Sequence, residues 1–338
     1  MKKTIILSLL CLLPALAMAQ EKRKVRIAYP NAGALINGQI GHILEKTDIL
    51  EQNGLDAEVV AFPYWPPMQE ALVSGSVDVT IASEANFVNI AQKFPCKLIA
   101  TVGSAGRIAV MVAPDSPVKK VADLKGKSVT TVFGTSAHYP AVQWMLDAGL
   151  VPGSDVKVLH MSAADGRAAL AKGDIDAFTI WDPFVEDMVS KKSGRVLVEK
   201  SSFLTTTIAS DEFLARDPEA ATRFLKALHE AVLFMHHNKD LANGWLSKTN
   251  SAPPAIIDKG SRFNANYSKA KKLKDVNIVP GEDLLGLLEK ISAFNVENKL
   301  QPVPTPVRQK TDLSFVKAAR KRALAGKFDP KTVKVKVK

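Results

Sequence analysis

The chain has 338 residues, 45 Lys and Arg against 34 Asp and Glu, and a formal net charge of +11, with 46% hydrophobic residues. That is enough chain to bury a sizeable core, divided between two domains. Two cysteines exclude a disulfide scaffold, and beyond the leader described next no apolar run approaches the length of a membrane span.

Lys2 and Lys3 begin the chain as a positive n-region, Ile5 to Leu13 follows as a short apolar stretch, and Ala17-Met18-Ala19 is a small-x-small cleavage site. Residues 1–19 are therefore expected to be a signal peptide, and the mature product to be exported, most simply into a periplasm. A lipoprotein leader is not expected, because Leu10 rather than a small residue precedes Cys11. Cleavage would leave Cys96 alone, a small buried hydrophobe with no partner for an intrachain disulfide. It would also leave 43 basic and 34 acidic residues, or +9, with much of the excess after Arg308. A solvated basic tail is the default, and anionic solutes or surfaces are the natural partners of such a charge. Nucleic acid is not expected, since the basic residues are not interleaved with stacking aromatics.

Val25–Tyr29 is the first strand, followed by a helix from Ile36 to Thr47, a turn at Asn53-Gly54 and a strand over Leu55–Phe62. Pro63-Tyr64-Trp65-Pro66-Pro67 is expected to be an exposed aromatic loop, either a lid or partner surface or a loop packed on its own lobe. A helix over Met68–Ser74, a strand over Val77–Ala82, a helix over Phe87–Gln92 and strands over Cys96–Val102 and Ile108–Ala113 follow. Pro114-Asp115-Ser116-Pro117 breaks the pattern. Further strands are expected at Val156–Leu159, Ala177–Ile180, Arg195–Glu199 and Thr205–Ala209, with a helix over Ala163–Lys172. From Asp211 the chain turns helical, with Asp217 capping a long helix to His236 and another over Glu282–Phe294. The alternation predicts an α/β chain with largely parallel sheets.

The stretch from Ser128 to Gly149 reads as strand, glycine turn and helix. Val129–Phe133 is the strand, Gly134 the turn, Thr135 or Ser136 the helix cap, and Gly149 the stop. The free N–H groups of such a first turn suit an anion. Two passages share the pattern Ala-Leu-x-x-Gly-x-(Val/Ile)-Asp, at Ala71–Asp78 and Ala169–Asp176, each leading into a strand. Two such units suggest two lobes of similar build with the functional site between them.

Ala71-Leu72-x-x-Gly75-x-Val77-Asp78, Asp115-Ser116-Pro117, Asp123-Leu124-Lys125-Gly126-Lys127, Gly134-x-Ser136-x-His138, Ala148-Gly149-Leu150, Ala169-Leu170-x-x-Gly173-x-Ile175-Asp176-Ala177, Trp181-Asp182-Pro183 and Thr311-Asp312-Leu313-Ser314-Phe315 occur in one order over most of the mature chain. In this the chain resembles the periplasmic substrate-binding proteins of ABC importers, in the nitrate/sulfonate/taurine group. The resemblance implies a type II periplasmic-binding-protein fold: two α/β lobes, each with a mostly parallel sheet, a cleft between them and a helical C-terminal region. Residues 20–110 with 205–338 would form lobe 1, and 111–204 lobe 2. The chain would cross near Ile108–Ala113 and Phe203–Ser210, and the lobes would close on ligand about this hinge. A monomer is expected, capturing a small anionic or zwitterionic solute and delivering it to an ABC transporter permease, with no enzymatic activity and no cofactor.

Matched by position, the implied ligand contacts are Tyr29 and Asn31, Ser83 and Glu84, Thr135, Ser136 and His138, and Trp181 and Asp182. Hydroxyls and helix N-terminal amides would hold an oxyanion, and Trp181 would pack against an apolar part of the ligand. Glu84 departs from the commoner loops. Facing the cleft, it would suit an ammonium group, as in a taurine-like zwitterion; capping a helix, it would have no ligand role. The alternative function is a thiamine-pyrimidine-precursor binding protein or enzyme on the same fold. Related enzymes carry a cysteine-rich motif and work in the cytosol, unlike this chain. His236 and His237 are adjacent and cannot share a helix face as zinc ligands would, so no metal is expected. There is no Gly-x-Ser-x-Gly elbow, P-loop or dinucleotide fingerprint.

Overall fold

The structure, a computed structural model, describes residues 22–31, 34–200, 203–250 and 252–336. The expected signal peptide, residues 1–19, lies outside these residues. The strands are β1 (Arg23–Pro30), β2 (Leu55–Phe62), β3 (Val79–Ser83), β4 (Cys96–Ala100), β5 (Ile108–Val112), β6 (Ser128–Thr131), β7 (Lys157–His160), β8 (Ala177–Trp181), β9 (Arg195–Lys200) and β10 (Thr205–Ser210). The helices are α1 (Ile36–Lys46), α2 (Ile49–Gln52), α3 (Trp65–Val73), α4 (Glu84–Ala91), α5 (His138–Asp147), α6 (Ala163–Lys172), α7 (Phe184–Ser190), α8 (Asp211–Arg216), α9 (Pro218–His237), α10 (Lys239–Asn250), α11 (Pro254–Ser261), α12 (Ala265–Lys269), α13 (Glu282–Glu297) and α14 (Ser314–Ala325).

Two five-stranded sheets have the orders β2-β1-β3-β10-β4 and β7-β6-β8-β5-β9. β1 runs parallel to β2 and β3, and β6 parallel to β7 and β8. β10 and β5 run against both of their neighbours. The sheets are thus mixed: in each, one strand opposes the rest, and it is the first strand the chain enters after crossing from the other sheet. The two sheets have the same topology, as the repeated Ala-Leu-x-x-Gly-x-(Val/Ile)-Asp passage suggests.

The repeat does the same job in both lobes. Asp78 accepts the Arg26 backbone N–H at 2.8 Å, and Asp176 accepts that of Ser128 at 2.9 Å. Each carboxylate pins the start of the strand that follows it, β3 or β8, to a parallel neighbour, β1 or β6. Gly75 and Gly173 close the preceding helices at φ +71° and +79°, a region that L side chains rarely adopt.

Both faces of the sheets are covered. In the first lobe Val25, Ile27 and Ile40 pack with Phe224, Leu228 and Val232 of α9, and Ala28, Leu72, Phe87 and Leu288 fill the other side. β5 alternates Val110 and Val112 into one cluster and Ala109 and Met111 into another, so it reads as an unbroken apolar run.

β5 lies wholly inside the second sheet. The first crossing is therefore the segment 101–107, upstream of the expected Ile108–Ala113, and it runs antiparallel to the return segment. Ala105 N–H donates to Phe203 O at 2.8 Å and Thr205 N–H to Gly103 O at 2.9 Å. Asn264 Nδ2 secures the crossing by donating to Val102 O at 2.8 Å. The expected loop at Pro63–Pro67 is also corrected. Trp65-Pro66-Pro67 opens α3, where the missing proline N–H groups cost nothing, and Trp65 is buried while Tyr64 is exposed.

Candidate functional site

The carboxyl ends of β3 and β6 bring α4 and α5 together across the gap between the lobes. Ser83 and its partner Asn86 begin α4. Asn86 Oδ1 accepts the Ser83 backbone N–H at 3.1 Å and its hydroxyl at 2.7 Å, which commits Ser83 to the helix start. Glu84 is the first residue of α4 and is buried. Its carboxylate accepts the Leu204 N–H at 3.1 Å, at the return crossing. Burial pushes the Glu84 carboxyl up to about 7, against the pull of nearby N–H groups, Lys200 and the Ser136 hydroxyl.

Ser136 belongs to the other lobe. Its hydroxyl is buried and makes no hydrogen bond among the described residues, yet it lies close enough to Glu84 to favour the charged carboxylate. Asn89 Nδ2 reaches Gly134 O at 3.4 Å from α4 to the turn before α5. Tyr139 meets Phe294 of α13 edge-on at 4.8 Å. On the other flank Lys259 Nζ approaches Glu186 Oε1 at 3.4 Å, and the Arg107 guanidinium lies 5.2 Å from the Phe263 ring centroid. The lobes are in contact on both flanks.

Thr135 and Ser136 do not cap α5 as expected. The N-cap is Ala137, without a side-chain bond, and the Thr135 hydroxyl turns back to donate to Val132 O at 2.6 Å. His138 stacks on Phe133 at 4.6 Å, and burial, with His160 adding, lowers its pKa. Trp181 is half-buried and joins Ala105, Ile108, Ala137 and Phe203 in an apolar cluster at the crossing. Asn31 follows β1, its N–H donating to Phe62 O at 2.9 Å and its C=O accepting from Asn250.

Tyr29 and Asp182 are taken up elsewhere. Tyr29 is fully buried beneath α1; its hydroxyl donates to Glu45 Oε2 at 2.8 Å and lies 3.0 Å from His42 Nδ1. The ring fits only because residue 41 is glycine: a Cβ there would lie 1.9 Å from Tyr29 Cδ2. Burial and Glu45 together hold the proton on this phenol. Asp182 is 0% exposed and accepts from the Arg107 backbone N–H at 3.1 Å, Arg107 Nε at 3.0 Å and the Glu186 N–H at 3.1 Å. Its charge is neutralised inside the protein.

The family model described as NMT1/THI5 like matches residues 48–242, more than half of the chain. The chain belongs to the NMT1/THI5-like family. A relative in Escherichia coli (strain K12), named a putative aliphatic sulfonates-binding protein, is 28% identical over 312 residues, covering 88% of this chain and 91% of the relative. The alkanesulfonate-binding protein SsuA from Xanthomonas axonopodis pv. citri, bound to MOPS, superposes with a TM-score of 0.71 at 21% identity, over 88% of this chain and 100% of that one. A variant of DszB in complex with biphenyl-2-sulfinic acid superposes at 0.67 and 15% identity, over 89% and 99%. These likenesses show a two-lobed periplasmic-binding-protein fold.

Several groups in this NMT1/THI5-like cleft escaped the sequence reading. Asn37, in the first turn of α1, is buried; its Nδ2 donates to Ala82 O at 3.1 Å while its Oδ1 has no partner among the described residues. Arg107 holds Asp182 across a separation of 75 residues, which no local pattern reveals. Leu35 and Gly260 press on Asp182 from the first lobe. The only local signal is Asn37 on the apolar side of a helix that starts at a strand's carboxyl end.

Proposed function

We propose that this chain is a periplasmic solute-binding protein that captures a small sulfonate-like anion or zwitterion between its lobes and delivers it to an ABC transporter permease. The observation that carries the reading is the meeting of α4 and α5 across the cleft, where Ser136 Oγ is buried near the carboxyl of Glu84 without meeting hydrogen-bond geometry, while Asn37 Oδ1, at the start of α1, is buried with no partner among the described residues. Buried polar atoms are ordinarily hydrogen-bonded, so such orphans suit a polar guest. The sulfonate class is supported by the names of the sulfonate-binding relative and structural neighbour.

Within this reading Asn37, Glu84, Thr135, Ser136 and Trp181 are the ligand-facing residues. Tyr29, Ser83 and Asp182 support the walls. Ser136 donates to an oxyanion, Trp181 covers an alkyl portion, and Glu84 sets the charge class. Ionised, Glu84 pairs with an ammonium group; protonated, it donates a hydrogen bond to a sulfonate oxygen. A taurine-like zwitterion satisfies both the hydroxyl and the carboxylate.

Binding rather than turnover fits the residues. The likeness to DszB means that the fold also carries an enzyme. Here, however, Cys96 is buried and its thiol is pushed up to about 12 by that burial, so it supplies no thiolate nucleophile. Mass spectrometry of ligand released from freshly purified protein tests the proposal. An organosulfonate released in equimolar amount is expected; a covalently altered product generated from an added sulfonate would overturn it.

A further inference from the structure

The sequence places much of its excess positive charge near the C terminus, and the fold brings the part of it on α14 together with a lysine-rich turn on one outer face. α14 packs on α9, and α9 packs on β1 and β2, so this face is separated from the cleft by a helical layer. On α14, Lys317, Lys321 and Leu324 are exposed at successive helical turns. The 3-10 turn at Leu273–Asp275 contacts both α9 and α14 and brings Lys272 and Lys274, with Lys271 beside them. Beyond α14, Lys331 sits in the turn Pro330–Thr332, which also contacts α9, and exposed Lys327 precedes it, with Asp329 between them.

Two histidines of α9, beneath this face, feel nearby positive charge. Burial lowers the pKa of His229, on α9, with Arg320 and Lys226 adding to the effect. Burial likewise lowers that of His236, helped by Lys239, His237 and Lys271. Arg322 and Lys336 have carboxylate partners in Glu219 and Glu51. Lys271, Lys272, Lys274, Lys317, Lys321, Lys327 and Lys331 pair with no carboxylate among the described residues. All seven are lysines, point charges on flexible stems, rather than planar arginine forks, and they spread over a helix-and-turn surface rather than converging on a pocket. That suits a diffuse, mobile array of phosphates and not one anion of fixed shape.

We propose that this lysine-rich face docks the protein on an anionic phospholipid bilayer surface, leaving the cleft free. The inference goes beyond the solute-carrier reading, and its measurement is independent of solute binding. For an exported carrier it would confine the search for a membrane permease to the bilayer plane.

The full mature chain is tested by flotation with vesicles of phosphatidylcholine alone and of phosphatidylcholine with phosphatidylglycerol. Binding is expected only to the anionic vesicles, and is expected to disappear in about 1 M salt, where the Debye length is about 3 Å. K274E/K317E/K321E is expected to lower partitioning about tenfold or more. A variant with the same charge change on the second lobe, K120E/K157E/K172E, is expected to bind nearly as the wild type does. Equal loss in both triple variants would show that net charge alone attracts the protein, and would overturn the proposal. So would absence of binding to anionic vesicles at low salt. Inorganic phosphate or a free polyanion competing at micromolar concentration would assign the face to a soluble anion instead and would also overturn it. Unchanged melting temperatures keep either triple variant interpretable.

Discussion

Closure of the two lobes can be blocked at one atom. Gly260, in α11, faces Asp182 and Leu35, and a Cβ there would lie 2.8 Å from Leu35 Cδ1, 3.2 Å from Asp182 Cβ and 3.4 Å from its Cγ. Leu35 Cδ1 is the end of a side chain and can rotate away. Asp182 cannot, since the Arg107 guanidinium and two backbone N–H groups fix its carboxylate. Gly260→Ala must therefore part α11 from Asp182 by a few tenths of an ångström, and overpacking of this kind costs about 1–3 kcal/mol. The part of the cost set by Asp182, in the second lobe, falls on the closed arrangement, whereas Leu35 shares the first lobe with Gly260 and gives way by rotation in either arrangement. In the open one, alanine is the better helix residue by about 0.5–1 kcal/mol. Ligand affinity is expected to fall by about 5- to 150-fold, at 1.4 kcal/mol per tenfold, while the ligand-free melting temperature holds or rises. Calorimetric titration with an alkanesulfonate, paired with thermal melting of the ligand-free protein, reads both quantities. Wild-type affinity in the variant, or a fall in ligand-free stability that accounts for the whole loss, would refute the reasoning.

Other substitutions probe the cleft from different sides. Glu84 has a folded pKa near 7, above the ordinary carboxylate value, so the folded protein holds this proton more tightly than the unfolded chain. Its contribution to stability is present at low pH and is lost as pH rises through about 7. Glu84→Gln removes this dependence, so the melting temperature of the variant minus that of the wild type is expected to grow between pH 5 and 8; a constant difference would contradict the burial argument. Arg107→Met strands the Asp182 carboxylate and is expected to cost about 3–5 kcal/mol in denaturant unfolding, largely recovered in R107M/D182N; no recovery in the double variant would count against this pairing. Tyr29→Phe removes the hydroxyl shared by Glu45 and His42 and is expected to cost about 1–2 kcal/mol of stability with solute affinity unchanged. An affinity loss larger than the stability loss would return Tyr29 to the ligand site.

The fold was legible where side-chain chemistry is local. β2 alternates from Leu55 to Val59, stays apolar to Phe62 and ends before Pro63, and α6 lies between the Ser162 cap and Gly173, so both are bounded to the residue. The repeated Asp78 and Asp176 announced two lobes because each serves its own strand start. The crossing was misplaced because β5, buried on both faces, looks like any buried strand and carries no mark of its sheet. Trp65 was misassigned because two prolines read as a loop, although both fit a helix's first turn.

The site was less legible. Sequence position located the carboxyl ends of β1, β3, β6 and β8, but strand side chains alternate between faces. Tyr29 turns into the interior while Glu84 turns toward the other lobe. Asp182 was visible as a charge, but the arginine that cancels it enters from the crossing segment. Asn37 was invisible because its meaning lies in an unpaired oxygen, which only the assembled neighbours define.

The most direct test of the central claim is calorimetric titration of the mature protein, stripped of bound ligand by unfolding and refolding, with taurine, alkanesulfonates, nitrate and a thiamine-pyrimidine precursor. A single saturable site for a sulfonate is expected, weakened in Ser136→Ala, with about 2.7 kcal/mol of stabilisation at 100 times the dissociation constant. No saturable binding of any sulfonate, with tight binding of the pyrimidine instead, would contradict it.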